Sequence, residues 1–391
     1  MATFKKSILD DTPQARTPGT DGHEYSKLKV ENKKTEKKRQ KKPSDDPKEK
    51  KRKIDWDYEN PDNFFDINLG EGIGIGSFPR ICKPIMDNPI FRRLDNIKQL
   101  GAVNYVYPDG NHSRRSHSLG TAHLACKLVK KLQKQKINGI PPMTGSEMLC
   151  VVIGALCHDL GHGPFSHLCE EFMIQEDGTL LSHEEMSVLL FEKILNDYPE
   201  SKACLDLYFE DYHFNLIKQL IDPPKNEQPW NFFVGPEKAF LFAIVNNSIS
   251  GLDVDKMDYL LRDSKRVGVN GVTSENIDYC FSKAKICEIP SRPLCKKYKW
   301  ISFPQTNPQV VSIFFERRQY LHEIVYSHRT VGAVSEMLRE AIRLSLSEVK
   351  LSRGTKIDVP LEHCFRKENL DLYIMLTDEY LRTQVSFNNI V

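Results

Sequence analysis

From Trp56 onward, apolar residues recur mostly at three- and four-residue spacing, the period of a helix with one buried face. In SEMLCVVIGALCHDLG (146–161) the set is Leu149, Val152, Ile153, Leu156 and Leu160; in HSLGTAHLACKLVKKLQ (117–133) it is Leu119, Ala122, Cys126, Val129 and Leu132. SHEEMSVLLFEKIL opens with Ser182 and, three places on, Glu185, a capping box that puts His183 in the first turn of a helix. EKAFLFAIVNN and VDKMDYLLRD predict two more helices broken at SISGL, and the stretch from Phe315 to Leu346 predicts one long helix. Alternating, strand-like segments are short: CEIPS, LCKKYKWISF and TKIDVPL. The pattern therefore predicts a mostly α fold with a small β element around 285–305. GEGIGIG (70–76) has glycine at every second position rather than as GxGxxG, so it predicts an irregular segment and not a phosphate loop.

Charge divides the chain. Residues 1–53 carry 17 Lys/Arg against 9 Asp/Glu, a net of +8, and since the whole chain is +2 the remainder is −6. The first 55 or so residues lack hydrophobic periodicity and read as a disordered basic tail, followed by a catalytic core over 56–391. Two basic clusters, Lys37–Lys42 and Lys48–Lys53, resemble a bipartite nuclear-import signal; a nonspecific nucleic-acid arm is the other reading. The expected location is the nucleus, with an import receptor as partner. Ten cysteines without CxxC spacing suit free thiols; Cys287 and Cys295 flank a turn and are read as two free thiols of a hairpin rather than as a redox-sensitive pair. The longest apolar run, LCVVIGALC, is far too short to span a bilayer.

That run leads into LCHDLGHGPFSH (156–167), with three histidines and an aspartate in twelve residues. Neighbours on a helix project about 100° apart, so one cation at the helix flank can take both His158 and Asp159. Imidazole nitrogen and carboxylate oxygen suit Zn, Fe or Mn. His117 and Asp255, each near a predicted helix start, complete the order His…His-Asp…Asp, the signature of the HD phosphohydrolases. His123 points away from the ligand face, and His322 and His328 are six apart, so these three are left out of the metal set.

QLG (99–101), HSRRSHSLG (112–120), CHDLGHGPFSH (157–167), SHEEMSVLLFE (182–192), LDVDKMDYLLRD (252–263) and YLHEIVYSH (320–328) occur in order. Together they resemble the catalytic domain of the SAM-and-HD-domain deoxynucleoside triphosphate triphosphohydrolases, from about residue 60 onward. The resemblance implies an HD-domain helical fold and hydrolysis of a dNTP at the α-phosphorus to deoxynucleoside and triphosphate. It implies one transition metal held by His117, His158, Asp159 and Asp255, with Mg²⁺ on the substrate phosphates. His167 would be the proton donor, oriented by His183 and by Glu170, where the family carries Asp; His162 would touch the α-phosphate. Arg114, Lys256 and Arg318 would grip the phosphates with Tyr259 alongside. Gln99 and Asp263 would receive the 3′-hydroxyl, and Leu100 and Tyr326 would close the space that a 2′-hydroxyl needs.

The regulatory positions depart from the family. Where relatives read DTPxFQRLR, this chain reads DNPIFRRLDN: Asp87 remains, Arg92 replaces Gln and Asp95 replaces Arg. LGEGIGI stands in place of DPIHGHI, while Lys297 and Lys299 keep basic character. Neither a SAM domain nor the full C-terminal lobe of the family is expected within this chain. GTP activation of the family's kind is therefore not expected, and assembly as a dimer or tetramer stays open. The function is read as a dNTP triphosphohydrolase, the alternatives being another HD nucleotide phosphohydrolase or a weakly catalytic protein that binds single-stranded nucleic acid.

Overall fold

The computed structural model describes residues 53–70, 73–137, 142–224, 234–290, 297–351 and 358–384. The basic tail up to residue 52, with all of its import-like clusters except Lys53, and Cys295 lie outside the described residues; Cys287 is an exposed free thiol.

Helices α1 (Arg114–Gln133), α2 (Gly145–Cys157), α3 (His183–Asp197), α4 (Asp211–Ile221) and α5 (Val254–Val267) surround one apolar core. Every residue from Glu147 to Cys157 is buried, which explains why α2 is apolar all round rather than striped. It lies between α1 and α4, and α1 packs in turn on α5. Fully buried residues such as Leu149, Ile153 and Leu156 make α2 the least tolerant element, since truncating such a side chain costs about 2–5 kcal/mol. Gly120 lets α1 and α5 meet: a Cβ there would lie 1.8 Å from Asp258 Oδ1. Thr144 with Glu147, and Ser182 with Glu185, form capping boxes that start α2 and α3. The latter is the one expected from the sequence, and His183 is the first residue of α3.

Among the described residues, three antiparallel strand pairs accompany the helices. β3 (Lys285–Pro290) and β4 (Lys297–Ser302) form the hairpin expected near 285–305, and β4 buries Trp300 against the core. β5 (Lys350–Leu351) and β6 (Val359–Pro360) make a minimal pair. Of the described residues of GEGIGIG, read as irregular, only Ile75 and Gly76 prove to be strand: they begin β2 (Ile75–Pro79), which pairs with β1 (Phe64–Asn68). Gly70 and Gly74, at φ +97° and +83°, supply the left-handed conformations that the turn requires, and Gly76 belongs to β2. A second correction concerns the long C-terminal helix. It begins earlier, as α6 (Gln309–Leu321), passes through a π turn over His322–Tyr326, and restarts as α7 (Arg329–Ser345) with His328 capping Thr330 N–H. The EKAFLFAIVNN segment is also less regular than expected, a 3₁₀ turn (Pro236–Leu241) followed by one turn of α-helix (Phe242–Val245). No described helix is long and apolar enough to cross a membrane.

Candidate metal centre and adjoining cavity

His117 sits in the first turn of α1, where Ser113 caps the helix by accepting from Ser116 N–H. His158 follows directly on α2 as its C-cap residue, so the helix ends before the glycines of LGHGP rather than at them. Asp255 lies in the first turn of α5, capped by Asp253. The fold brings these three helix ends together. His117 Nε2 is 2.9 Å from Asp255 Oδ1 and 3.5 Å from Asp159 Oδ2. His158 Nε2 is 3.4 Å from Asp159 Oδ1 and 3.5 Å from Asp255 Oδ1. Ligand atoms of His117, His158 and Asp159 all lie within 4.8 Å of one another.

The tautomers follow from the partners. His117 Nδ1 is 2.8 Å from Asp258 Oδ2, and a carboxylate only accepts, so Nδ1 carries the proton and Nε2 faces the acids. His158 Nδ1 donates to the Ala155 carbonyl at 2.8 Å, leaving a buried Nε2 without a hydrogen-bond partner. Asp258 is itself gripped by Arg262 through Nε and Nη2, both at 2.9 Å, in a fully buried bidentate pair. Burial opposes a charged His117, but hydrogen bonds with Asp255 and Asp258 outweigh it and lift the imidazole pKa to about 10. Burial also works against the carboxylate of Asp255; its two imidazole neighbours, His117 and His158, hold its pKa far below the usual range. Asp159 is depressed too, Arg114 being the largest influence against its burial. This cavity favours positive charge. Two buried imidazole nitrogens and two carboxylates fit a divalent transition metal, with Asp258 orienting one ligand from behind.

A second group adjoins it: ligand atoms of His162, His167, Glu170 and His183 also lie within 4.8 Å of one another. Glu170 Oε1 accepts from His167 Nδ1 at 2.7 Å and is 2.8 Å from His183 Nδ1. Against burial, these two imidazoles hold the Glu170 carboxyl strongly ionised. His162 stacks on His183 with ring centroids 4.0 Å apart, and neither of its ring nitrogens has a hydrogen-bond partner. Burial and the nearby Arg114 and His183 charges push its pKa well down, so it is neutral. Gly161 is required where the loop crosses α3, because a Cβ would lie 2.1 Å from the His183 carbonyl. Phe165 and Ser166 then adopt left-handed φ of 56° and 59°. Such conformations cost non-glycine residues about 1–3 kcal/mol each and concentrate at functional sites.

Two cavities of about 440 and 300 Å³ share Gln99, Arg114, His167 and Tyr259. The smaller reaches His158, Asp159, His162, His183, Asp255 and Lys256, and the larger reaches Leu100, Asp263, Arg318 and Tyr326. All the residues expected at the catalytic, metal and substrate positions thus line one or both cavities or, like His117 and Glu170, contact residues that do. Arg114 is held inward, donating to Asp159 Oδ2 at 2.7 Å and to Ser166 Oγ at 2.8 Å. Lys256 pairs with Asp253 at 3.0 Å, and Arg318 Nε donates to the Tyr259 hydroxyl at 3.3 Å. Burial and the Asp255 charge raise the Tyr259 pKa to about 12, so its hydroxyl stays protonated. Asp263 accepts from Tyr326 OH at 2.7 Å and lies 2.8 Å from His112 Nε2. Gln99 Oε1 is buried without a partner.

The regulatory candidates lie elsewhere. Asp87 pairs with Lys83 at 2.8 Å, Arg92 is exposed, Lys297 pairs with Glu288 at 2.6 Å and Lys299 pairs with Glu237. Arg93, next in that motif, is buried and donates to the Leu160 and His162 carbonyls. Asp258, His112, Ser166 and Ser187 are supporting residues that the sequence reading missed; Ser187 Oγ accepts from Gly161 N–H at 2.7 Å. Asp258 had one signal, its position three residues after Asp255 and four before Arg262 on one helix.

Residues 114–263 match the HD domain family. The chain is 32% identical over 319 residues to the deoxynucleoside triphosphate triphosphohydrolase SAMHD1 of Bos taurus, covering 77% of this chain and 51% of that protein. It is 36% identical over 274 residues to its counterpart in Homo sapiens, 66% of this chain and 41% of that one. It is 28% identical over 286 residues to the putative HD domain-containing protein L394 of Acanthamoeba polyphaga mimivirus, 70% and 57%. The chain spans about half the length of these curated relatives. With the His…His-Asp…Asp set assembled from three helix ends and the HD match running from Arg114 to Asp263, the chain belongs to the HD phosphohydrolase superfamily.

Proposed function

We propose that this HD phosphohydrolase cleaves deoxynucleoside triphosphates to deoxynucleoside and inorganic triphosphate. One observation carries the reading: the HD cluster opens into a cavity that continues past Lys256, Tyr259 and Arg318 to Asp263, Tyr326 and the unpartnered Gln99 oxygen. That sequence of surroundings suits phosphates followed by a sugar. The similarity to SAMHD1 proteins supports the same substrate class.

His117, His158, Asp159 and Asp255 would hold Zn, Fe or Mn, which when bound supplies Lewis acidity toward water and a phosphate oxygen. Lys256 and Arg318, with Mg²⁺, neutralise the polyphosphate, and the protonated Tyr259 hydroxyl donates to it. Arg114, expected from the sequence to grip the phosphates, donates instead to Asp159 Oδ2 and acts through it, fixing that carboxylate. The water oxygen bonds to the α-phosphorus, the bond from phosphorus to the 5′-oxygen breaks, the proton of His167 Nε2 goes to that oxygen, and the proton given up by the water passes to solvent, from which His167 is reprotonated. Glu170, accepting at Nδ1, and His183 hold the imidazole of His167 in that role, while His162 packs neutral beside them. Gln99 and Asp263 take the 3′-hydroxyl, and Leu100 and Tyr326 exclude a 2′-hydroxyl.

Purified protein given Mn²⁺ or Mg²⁺ and dGTP should release deoxyguanosine and inorganic triphosphate, resolved by ion-exchange chromatography. Release of dGMP with pyrophosphate, or of dGDP with phosphate, would overturn this reading in favour of another nucleotide phosphohydrolase.

A further inference from the structure

The loop Leu160–Ser166 joins the metal ligands His158 and Asp159 to His167. Much of what holds it comes from a segment about 210 residues away. Asp378, only 5% exposed, accepts from Phe165 N–H at 2.7 Å through Oδ1 and from Lys98 N–H at 3.0 Å through Oδ2. The fully buried Tyr373 donates its hydroxyl to the Gly161 carbonyl at 2.5 Å. Arg93 links the two parts, donating to the Leu160 and His162 carbonyls at 3.3 and 2.9 Å and to the Leu376 carbonyl at 3.1 Å. Its guanidinium also lies 4.8 Å from the Tyr373 ring centroid. These bonds go to backbone groups of the loop, so they fix its path rather than its chemistry. The Asp378 bond falls on Phe165, the first of two left-handed residues immediately before His167, where relaxation of the backbone would swing that imidazole.

We infer that the Leu370–Asp378 segment, which lies outside the HD-domain match, is a positioning device for the leaving-group proton donor: it clamps the Leu160–Ser166 loop from behind and so sets where His167 stands. The inference rests on the role of His167 given under the proposed function. Asp378 and Tyr373 touch neither cavity, so they are positioning residues and not catalytic ones.

The test compares two leaving groups in the full chain. Cleavage of dGTP expels a 5′-alkoxide that needs a proton; cleavage of bis(p-nitrophenyl) phosphate expels p-nitrophenolate, which does not. Asp378→Asn keeps the size but cannot accept both backbone N–H groups, and Tyr373→Phe removes a single hydroxyl. A well-placed general acid contributes about 10²–10⁴-fold. Asp378→Asn should therefore lower kcat for dGTP by about tenfold or more, leave KM within about twofold, and lower aryl diester turnover by less than about threefold. Tyr373→Phe should show the same asymmetry at smaller size, with bound metal unchanged by elemental analysis. Equal losses on both substrates, no loss on either, or loss of metal would overturn the inference while leaving dNTP hydrolysis intact. If the wild type cleaves the aryl diester but not dGTP, the substrate reading fails alone. The same variants are then compared on the methyl and p-nitrophenyl esters of thymidine 5′-phosphate, with the same asymmetry expected. A wild type inert toward all of these overturns both.

Discussion

At the scale of single residues, His117 is set by a relay from behind. Arg262 fixes Asp258, Asp258 fixes the Nδ1–H tautomer, and Nε2 is left to the acids. Asp258→Asn should reduce metal affinity by roughly 10–100-fold, the usual size of an outer hydrogen-bond partner's effect. Elemental analysis of the folded variant after dialysis against a graded chelator series checks this; retention equal to wild type would rule the relay out. In the larger cavity, Tyr326 is held by Asp263 at 2.7 Å, so its ring is a fixed wall. Tyr326→Ala should raise the ratio of GTP to dGTP turnover, as kcat/KM, by roughly tenfold or more, since pocket contacts of this kind are worth about 1–3 kcal/mol. The four metal-ligand candidates are legible in the sequence because each sits beside a helix end announced by a cap, a glycine or an apolar period. Asp258, His112 and Ser187 are not. Each acts through a partner 26 to 151 positions away, and apart from the spacing of Asp258 to Asp255 and Arg262 no local pattern announces them.

At the scale of elements, recurring apolar residues make α1, α2 and α5 legible, and the Ser182–Glu185 capping box makes α3 so. The β1–β2 hairpin is hidden because its turn is built on glycines, which carry no hydrophobic signal, and because only one of its faces packs on α1. The break between α6 and α7 is hidden for the opposite reason, since the apolar period runs through Tyr326 and the π turn shifts its phase. His123 ties the hairpin to α1 by accepting from Ser77 N–H through Nδ1 at 3.3 Å, which requires an unprotonated nitrogen. Burial, then the Lys127 charge, lower its pKa, against the charges of Asp258 and Asp278. The unfolded chain therefore takes up this proton at a higher pH than the folded one. Stability from His123 is present above the unfolded value of about 6.5 and is lost as pH falls through the lowered folded value. His123→Asn keeps an acceptor without the titration, so its Tm should fall less between pH 7 and 5 than that of wild type. Parallel thermal melts across that range decide it; identical slopes would remove His123 as an anchor.

At the scale of the whole molecule, the candidate cation site joins three helices that approach through different parts of the core. His117 opens α1, His158 and Asp159 follow α2, and Asp255 opens α5. A ligand that binds only this folded arrangement stabilises the entire unit by mass action. At a hundredfold excess over Kd the gain is about 2.7 kcal/mol, equivalent to roughly 2 °C or more in Tm for a chain of this length. Chelator-treated protein should therefore melt higher when Mn²⁺, Fe²⁺ or Zn²⁺ is restored. The two adjoining histidine groups make the location of that effect testable. Asp255→Ala removes an oxygen shared by His117 and His158 and should abolish the metal-induced shift, whatever it does to the metal-free Tm. Glu170→Ala removes the anion shared by His167 and His183 and should leave the shift intact. The reverse outcome, a shift lost in Glu170→Ala and kept in Asp255→Ala, would move the cation to the His162–His183 group. His167 would then be a ligand rather than a proton donor, and the division of labour between the two groups would have to be redrawn.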